Sequence, residues 1–160
     1  MVIHLKKGRD GPSTLACVRA DGSRTWGKVH PFFPVHDLTH CAVESVLGFD
    51  EAFFGLVATG WSIDDFTVPG SSSRLPMQAV WAEHIVGLLD LERANHQPFA
   101  AAQLNEMLVQ SLGKLQLAPC RPVSDTELDH IRQLRNALQQ RWQATPLGGT
   151  LEVEFPATGS

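Results

Sequence analysis

The two ends of the chain show the alternation of apolar and polar positions that is typical of β-strands. In "TLEVEF", apolar residues alternate with two glutamates, which predicts a strand over 150–155 with one buried and one solvated face. Near the start, "VIHL" is a short strand candidate, and "TLACVRA" and "SRTWGKV" flank Asp21 and Gly22. An Asp-Gly pair favours a hairpin with a two-residue primed turn. We expect both ends to pair in one antiparallel sheet.

The middle of the chain has the longer apolar period of amphipathic helices. The last predicted helix has the clearest start, because Ser124 and Glu127 form a capping-box pattern before apolar residues at helical spacing. Asp50 is a candidate N-cap for the second helix. The Gly/Ser-rich segment 64–74 is predicted to be a loop. The five predicted helices cover about 35–47, 51–60, 77–92, 100–112 and the residues that follow Ser124.

Together these elements predict an α+β fold, in which a small antiparallel sheet from both termini packs on about five helices. A chain of 160 residues fits one domain and can bury a core without disulfides. We expect a single domain over 1–160. It would consist of a β-hairpin region over 1–30, a helical region over 35–144 and a C-terminal strand over 150–155.

Composition narrows the classes of partner. Hydrophobic residues make up 43% and charged residues 19% of the chain, and the net charge is −4. This balance is ordinary for a globular protein and argues against a nucleic-acid partner. No apolar run approaches the roughly 20 residues that cross a bilayer, and the N-terminus lacks a signal-peptide pattern. Three cysteines without a CxxC pair indicate neither a disulfide framework nor a thiolate zinc site. We expect a cytoplasmic protein with no membrane partner.

The segment "HDLTHCAVE", residues 36–44, contains the candidate chemistry. His36, His40 and Glu44 recur every four residues, so on a helix they fall within an arc of roughly 80°, with Asp37 at its edge. Two imidazoles one turn apart can bind one ion, because the helix fixes both donors before the metal arrives. The apolar residues of this helix place the histidines at the border of the core. Asp37 and Glu44 are expected to lie further towards solvent.

His36 and His40 are therefore the predicted metal ligands, and Glu44 or His84 is expected to complete the site. His84 is the best remote donor because apolar neighbours share its side of the third helix. Glu83, the preceding residue, is expected to point outwards.

Two acidic residues are candidates for catalysis. Asp37 or Glu44 could act as a base or could orient a histidine. Nitrogen and oxygen donors suit zinc, and iron, nickel or manganese also fit such donors.

"HDLTH" resembles the HDxxH metal motif of the coenzyme Q biosynthesis family. That resemblance implies a helical zinc-type site completed by a glutamate twelve positions after the second histidine, a slot that Ala52 occupies here. "VHDLTH" is also similar to the signature of HD-domain phosphohydrolases, which implies further ligands on an earlier and a later helix. The motif is also similar to HExxH zinc sites, with Asp in place of Glu. The longer stretch "FFPVHDLTH … FFGL…GW" resembles an uncharacterised bacterial family.

The predicted function is a divalent-metal-binding protein, a small hydrolase or lyase that acts on a small-molecule substrate with a metal-activated water. The alternative is a non-enzymatic binding or interaction module in which the histidines are structural. The alternative predicts no stoichiometric metal.

Overall fold

The computed structural model describes residues 1–29 and 33–156. The last residue of the predicted 1–30 hairpin region and residues 157–160 of the predicted single domain lie outside this part of the chain. A single domain over 1–160 therefore stays a prediction.

The sheet joins the two ends of the described chain, as predicted. Its strands follow the spatial order β3-β2-β1-β4, and all neighbours are antiparallel. In the centre, Ile3 lies opposite Cys17 on one side and Val153 on the other. These three side chains are buried, because the inner face of the sheet covers the core and the outer face meets solvent. The strands are β1 (Val2–Lys6), β2 (Ser13–Val18), β3 (Arg24–Val29) and β4 (Thr150–Glu154).

The turn between β2 and β3 differs from the predicted two-residue connection. The Arg19 amide donates a hydrogen bond to the Ser23 carbonyl, and the Gly22 amide donates to the Arg19 carbonyl. Three residues therefore form the loop, and Gly22 supplies a positive φ of 81°, as three-residue hairpin loops require. The Asp21 carboxylate also accepts a hydrogen bond from the Ser23 amide, which favours the longer turn. The prediction of a two-residue primed turn was wrong.

The helices confirm the predicted α+β class. The structure has five α-helices within the described ranges. The first ends where Gly48 adopts a left-handed φ of 67°, as expected for a helix terminated by glycine. None of the helices in these ranges is both long and apolar enough to cross a membrane. The helices are α1 (Phe33–Leu47), α2 (Phe53–Ala58), α3 (Met77–Asn95), α4 (Ala101–Lys114) and α5 (Asp125–Ala144).

The segment predicted to be a loop contains two short 3₁₀ helices, Ile63–Phe66 and Ser71–Arg74. One of the polar residues that predicted a loop, Asp65, takes part in a helix cap instead. Ser62 and Asp65 form a reciprocal capping box at the first of these helices. A short helix with satisfied ends is compatible with a polar sequence, so the plain loop prediction was wrong.

Two buried clusters form the core, and α1 contributes to both. One cluster lies among α1, α3, α4 and the first half of α5. The other lies between the sheet, α1, α2 and the end of α5. Because its apolar side chains serve both clusters, α1 is held on several sides. The polar residues of its first half lie between α3 and the sheet.

The capping box of α5 provides a stability test. The Ser124 hydroxyl accepts a hydrogen bond from the Glu127 amide, and the Ser124 amide donates to the Glu127 carboxylate. Ser124→Ala is expected to lower the free energy of unfolding by about 1 kcal/mol at pH 7. Urea unfolding measures this change, with Ser124→Thr as the control that keeps the hydroxyl. An alanine variant as stable as the wild type would contradict the capping argument.

The same capping box predicts that the stability of the folded protein depends on pH. Hydrogen bonds from Arg121 and from the Ser124 backbone hold the pKa of Glu127 at about 2, below its ordinary 4.5. A lowered carboxyl pKa stabilises the folded state above the unfolded pKa, and the contribution is lost as pH falls. The stabilisation from Glu127 is therefore complete above about pH 4.5 and disappears towards pH 2.

Candidate metal centre

The two histidines of "HDLTH" lie one turn apart near the start of α1. Their ring centroids are 4.9 Å apart and the rings are inclined by 71°. His40 is only 4% exposed, whereas His36 is half-buried. The predicted border position therefore holds for His36, and His40 lies deeper, where α1 packs on α3.

Glu83 of α3 faces both histidines. One carboxylate oxygen lies 3.3 Å from His40 Nε2, and the other lies 3.9 Å from His36 Nε2. One donor atom from each of the three residues lies within 4.8 Å of the others. Ligands of one ion at bond lengths near 2.1 Å are at most about 4.2 Å apart, so small side-chain rotations would bring all three donors onto one ion. This His/His/Glu group can hold a metal ion.

Glu83 points outwards, as expected, but the sequence did not predict that its carboxylate would contact the histidines. Its side chain is 59% exposed, but its carboxylate reaches across to α1. A sequence pattern for this contact exists. Glu83 and Asp90 are seven residues apart, so they lie on the same face of α3, and both contact His36. The histidine pair of α1 and this acidic pair of α3 face each other.

Carboxylates also hold the second nitrogen of each imidazole. His36 Nδ1 lies 2.8 Å from Asp90 Oδ2, and His40 Nδ1 lies 3.3 Å from Glu44 Oε1. We assign a proton to each Nδ1, because the carboxylates can only accept a hydrogen bond there. The Nε2 atoms then face Glu83, where without a metal ion His40 Nε2 carries a proton that is hydrogen-bonded to the carboxylate. A carboxylate behind each histidine is the arrangement that orients metal-binding imidazoles.

Glu44 is buried, which corrects the expectation that it lies towards solvent. It is 1% exposed, and its Oε2 accepts hydrogen bonds from the amides of Phe54 and Gly55 at 2.8 and 3.2 Å. These amides belong to the first turn of α2, so Glu44 performs the capping role predicted for Asp50. The N-cap position is Ala52, whose side chain makes no capping bond. Burial raises the pKa of Glu44, although the hydrogen bonds from His40 and α2 oppose that rise.

The structure does not bring Glu44 or His84 into the group with His36 and His40. Both oxygens of Glu44 are engaged as described. His84 is half-buried between α3 and α4, and its Nδ1 lies 3.2 Å from the Ser111 hydroxyl. It lines another cavity of about 320 Å³, to which Glu83 also contributes.

The site favours a positive charge between the two helices. Burial lowers the pKa of His40, but hydrogen bonds to Glu44 and Glu83 and their negative charges raise it to about 10. The hydrogen bond from His40 in turn lowers the pKa of Glu83. Without a metal ion, the positive charge is a proton on His40. A divalent ion at the same place would displace that proton, since metal binding to an imidazole requires its neutral form.

A cavity of about 440 Å³ adjoins the group. Its polar wall contains Asp37 beside His36, His40 and Glu83. Burial raises the pKa of Asp37 to about 6, and its Oδ2 is buried without a hydrogen-bond partner among the described residues. An unpaired buried carboxylate oxygen costs free energy. The apolar wall consists of Leu15, Val29, Phe53, Ile63, Phe66 and Leu75.

A second cavity of similar size lies elsewhere in the fold. It measures about 490 Å³ and is lined by Gly148 and by residues in and beside the β1–β2 turn, among them Lys6, Lys7 and Arg9. Lys7 is engaged there, because its ammonium donates hydrogen bonds to the Trp142 and Thr145 carbonyls at the end of α5. This cavity contains none of the candidate metal ligands.

Comparisons with known proteins leave the site to be interpreted from its own chemistry. A scan against family models, a search of curated proteins and a search of solved structures each found no match. The resemblances of "HDLTH" to the HDxxH and HD-domain motifs therefore stay predictions.

Proposed function

We propose that this protein binds one divalent metal ion through His36, His40 and Glu83 and uses it to hydrolyse a small-molecule substrate. The observation that carries the proposal is the convergence of three donors beside a cavity of about 440 Å³. Two histidines and one carboxylate with open coordination positions are a ligand set of catalytic zinc and of non-haem iron sites. A purely structural zinc site would ordinarily use four protein ligands.

Zinc is the expected ion, because nitrogen and oxygen donors suit it and Glu83 can adjust to a tetrahedral arrangement. Iron, nickel and manganese accept the same donors and belong in the same binding assay. The chemistry that the ion would supply is a lowered pKa for a bound water, which makes a nucleophile available near neutral pH.

Asp37 is the proposed general base. It lies next to His36 in the chain and lines the same cavity. A raised pKa suits a base that accepts a proton near neutrality. Glu44 has a different role, because its oxygens are taken by His40 and α2. It orients His40 and does not meet the substrate.

The test starts with protein purified without a histidine tag. We expect one zinc ion per chain by elemental analysis, removal of that ion by chelator and recovery on adding zinc. Metal-loaded protein is expected to hydrolyse members of a panel of ester, amide and phosphate substrates. Asp37→Asn is expected to keep the ion and to lower kcat by about 10²- to 10⁴-fold.

Glu51→Gln is the matched control, since Glu51 is an exposed carboxylate outside the cavity. It is expected to retain full activity. Absence of stoichiometric metal after incubation with each of the four ions would overturn the proposal and favour a non-enzymatic module. Full activity of Asp37→Asn would remove Asp37 from the mechanism and leave the ligand set in place.

A further inference from the structure

We infer that the substrate is an uncharged ester or amide whose acyl group is apolar, and that this group lies along the wall formed by Phe53 and Phe66. This inference rests on the proposed function and adds the class of substrate.

The apolar wall begins directly at the metal group. The ring of Phe53 lies 6.3 Å from that of His40, and the ring of Phe66 lies 4.6 Å from that of Phe53. A carbonyl held beside His40 would therefore place its next atoms on Phe53 and the following ones on Phe66. Apolar walls with a few polar groups at one point are typical of small-molecule sites, in which the polar groups fix the reacting end.

The charges at the cavity disfavour an anionic substrate. Asp37 and Glu83 are both on the wall, so two carboxylates already offset the charge of a divalent ion. Lys28 is the one lysine or arginine that lines the cavity within the described ranges. A phosphate ester would bring further negative charge beside these carboxylates, and sites for phosphate ordinarily supply arginine, lysine or clustered amides.

Lys28 is poorly placed to supply that positive charge. It is exposed, whereas its strand neighbours Gly27 and Val29 are partly buried. Successive side chains of a strand point to opposite faces, and a Cβ added at Gly27 would lie 3.0 Å from the Ile63 side chain on the cavity side. The side chain of Lys28 therefore leaves β3 on the face opposite to Gly27 and is exposed to solvent.

The reaction balances with water as the second reactant. The water oxygen bonds to the carbonyl carbon while Asp37 accepts one of the water protons. The bond between that carbon and the ester oxygen or amide nitrogen then breaks, and the leaving group takes a proton from Asp37. The products are a carboxylic acid and an alcohol or amine, and Asp37 returns to its starting state.

The first measurement is tail-length dependence in binding. Hydroxamic acids bind metal through their head group, so acetohydroxamic and octanohydroxamic acid differ only in the apolar tail. On zinc-loaded protein, the octanoyl compound is expected to bind about 100-fold more tightly or better, since each buried methylene contributes a factor of about three to four. Phe66→Ala is expected to reduce the ratio of the two dissociation constants at least tenfold. It is expected to leave the binding of acetohydroxamic acid unchanged.

Two further variants keep the test decisive. Leu75→Ala removes a different part of the same wall. It replaces Phe66→Ala in the binding test if that variant does not fold. Val68→Ala is the matched control, because Val68 is an exposed apolar residue of the same segment and does not line the cavity. It is expected to keep the wild-type ratio.

The second measurement is turnover of p-nitrophenyl esters from acetate to octanoate, beside p-nitrophenyl phosphate. We expect kcat/KM to rise about threefold or more per added methylene up to the length of the cavity, with no hydrolysis of the phosphate. Equal binding of both hydroxamates, or hydrolysis of phosphate in preference to every ester and amide, would overturn the inferred substrate class. Either outcome would leave the assignment of the metal ligands in place. An error in that assignment would appear instead as absence of bound metal.

Discussion

A chain in which His36 and His40 are both replaced by alanine is expected to bind no divalent ion under conditions in which the wild type binds one. The reason is that the double variant leaves Glu83 as the sole member of the donor group, and one exposed carboxylate holds an ion weakly. The change is expected to abolish the proposed hydrolysis as well. Isothermal titration with zinc and elemental analysis of the purified variant measure the loss.

Two single variants separate the structure's ligand set from the one predicted from the sequence. Glu83→Ala is expected to lower zinc affinity by about 100-fold or more, because loss even of an outer hydrogen-bond partner typically costs 10- to 100-fold. His84→Ala is expected to leave zinc affinity unchanged, since His84 interacts with Ser111 and lies outside the group. Normal metal content in the double histidine variant would rule out the proposed site. Loss of metal in His84→Ala alone would restore the sequence-based assignment.

Replacing Glu44 by alanine is expected to lower the free energy of unfolding by about 3 kcal/mol. The change removes one carboxylate that accepts hydrogen bonds from two amides of α2 and also from His40. It leaves those donors buried and leaves a cavity in place of the side chain. For a chain of this size the melting temperature would fall by about 6 to 12 °C. Urea and thermal unfolding of metal-free protein measure both quantities, so that loss of metal does not contribute.

Glu44→Gln is the informative companion. Its amide oxygen can still accept from the α2 amides, while its NH₂ group cannot accept from His40 Nδ1, so we expect a smaller loss of about 1 kcal/mol. Glu106→Ala, at an exposed position of α4, is the matched control and is expected to change stability by less than about 0.5 kcal/mol. If Glu44→Ala were as stable as this control, the buried carboxylate would not hold α2 in place.

Local patterns were sufficient for most of the fold. The alternation in "TLEVEF" predicted β4, and the capping box at Ser124 predicted the start of α5, because both depend on residues close together in the chain. The errors occurred where a distant residue took over a local role. Asp50 was the natural cap for α2 by sequence, but Glu44 reaches those amides from another helix. The hairpin loop gained a residue through hydrogen bonds that the Asp-Gly pair alone does not specify.

The candidate site was predictable to the extent that one helix contains it. The spacing of His36 and His40 correctly indicated that their rings lie side by side. The third member depends on how α1 and α3 pack, and a single sequence does not reveal the rotation of one helix against another. The choice of His84 rested on apolar neighbours, which placed it towards the interior. The long and partly exposed side chain of Glu83 reached the site instead.

The arrangement of the sheet also constrains how the molecule is made. Val2 of β1 pairs with Glu154 of β4, 152 positions later in the chain, so β1 leaves the ribosome long before one of its two neighbours. Until then the nascent chain exposes an unpaired strand edge, which is prone to aggregation. Contacts between such distant segments also form slowly. Leu15 and Val29 belong to this sheet and to the cavity wall, so formation of the pocket depends on formation of the sheet.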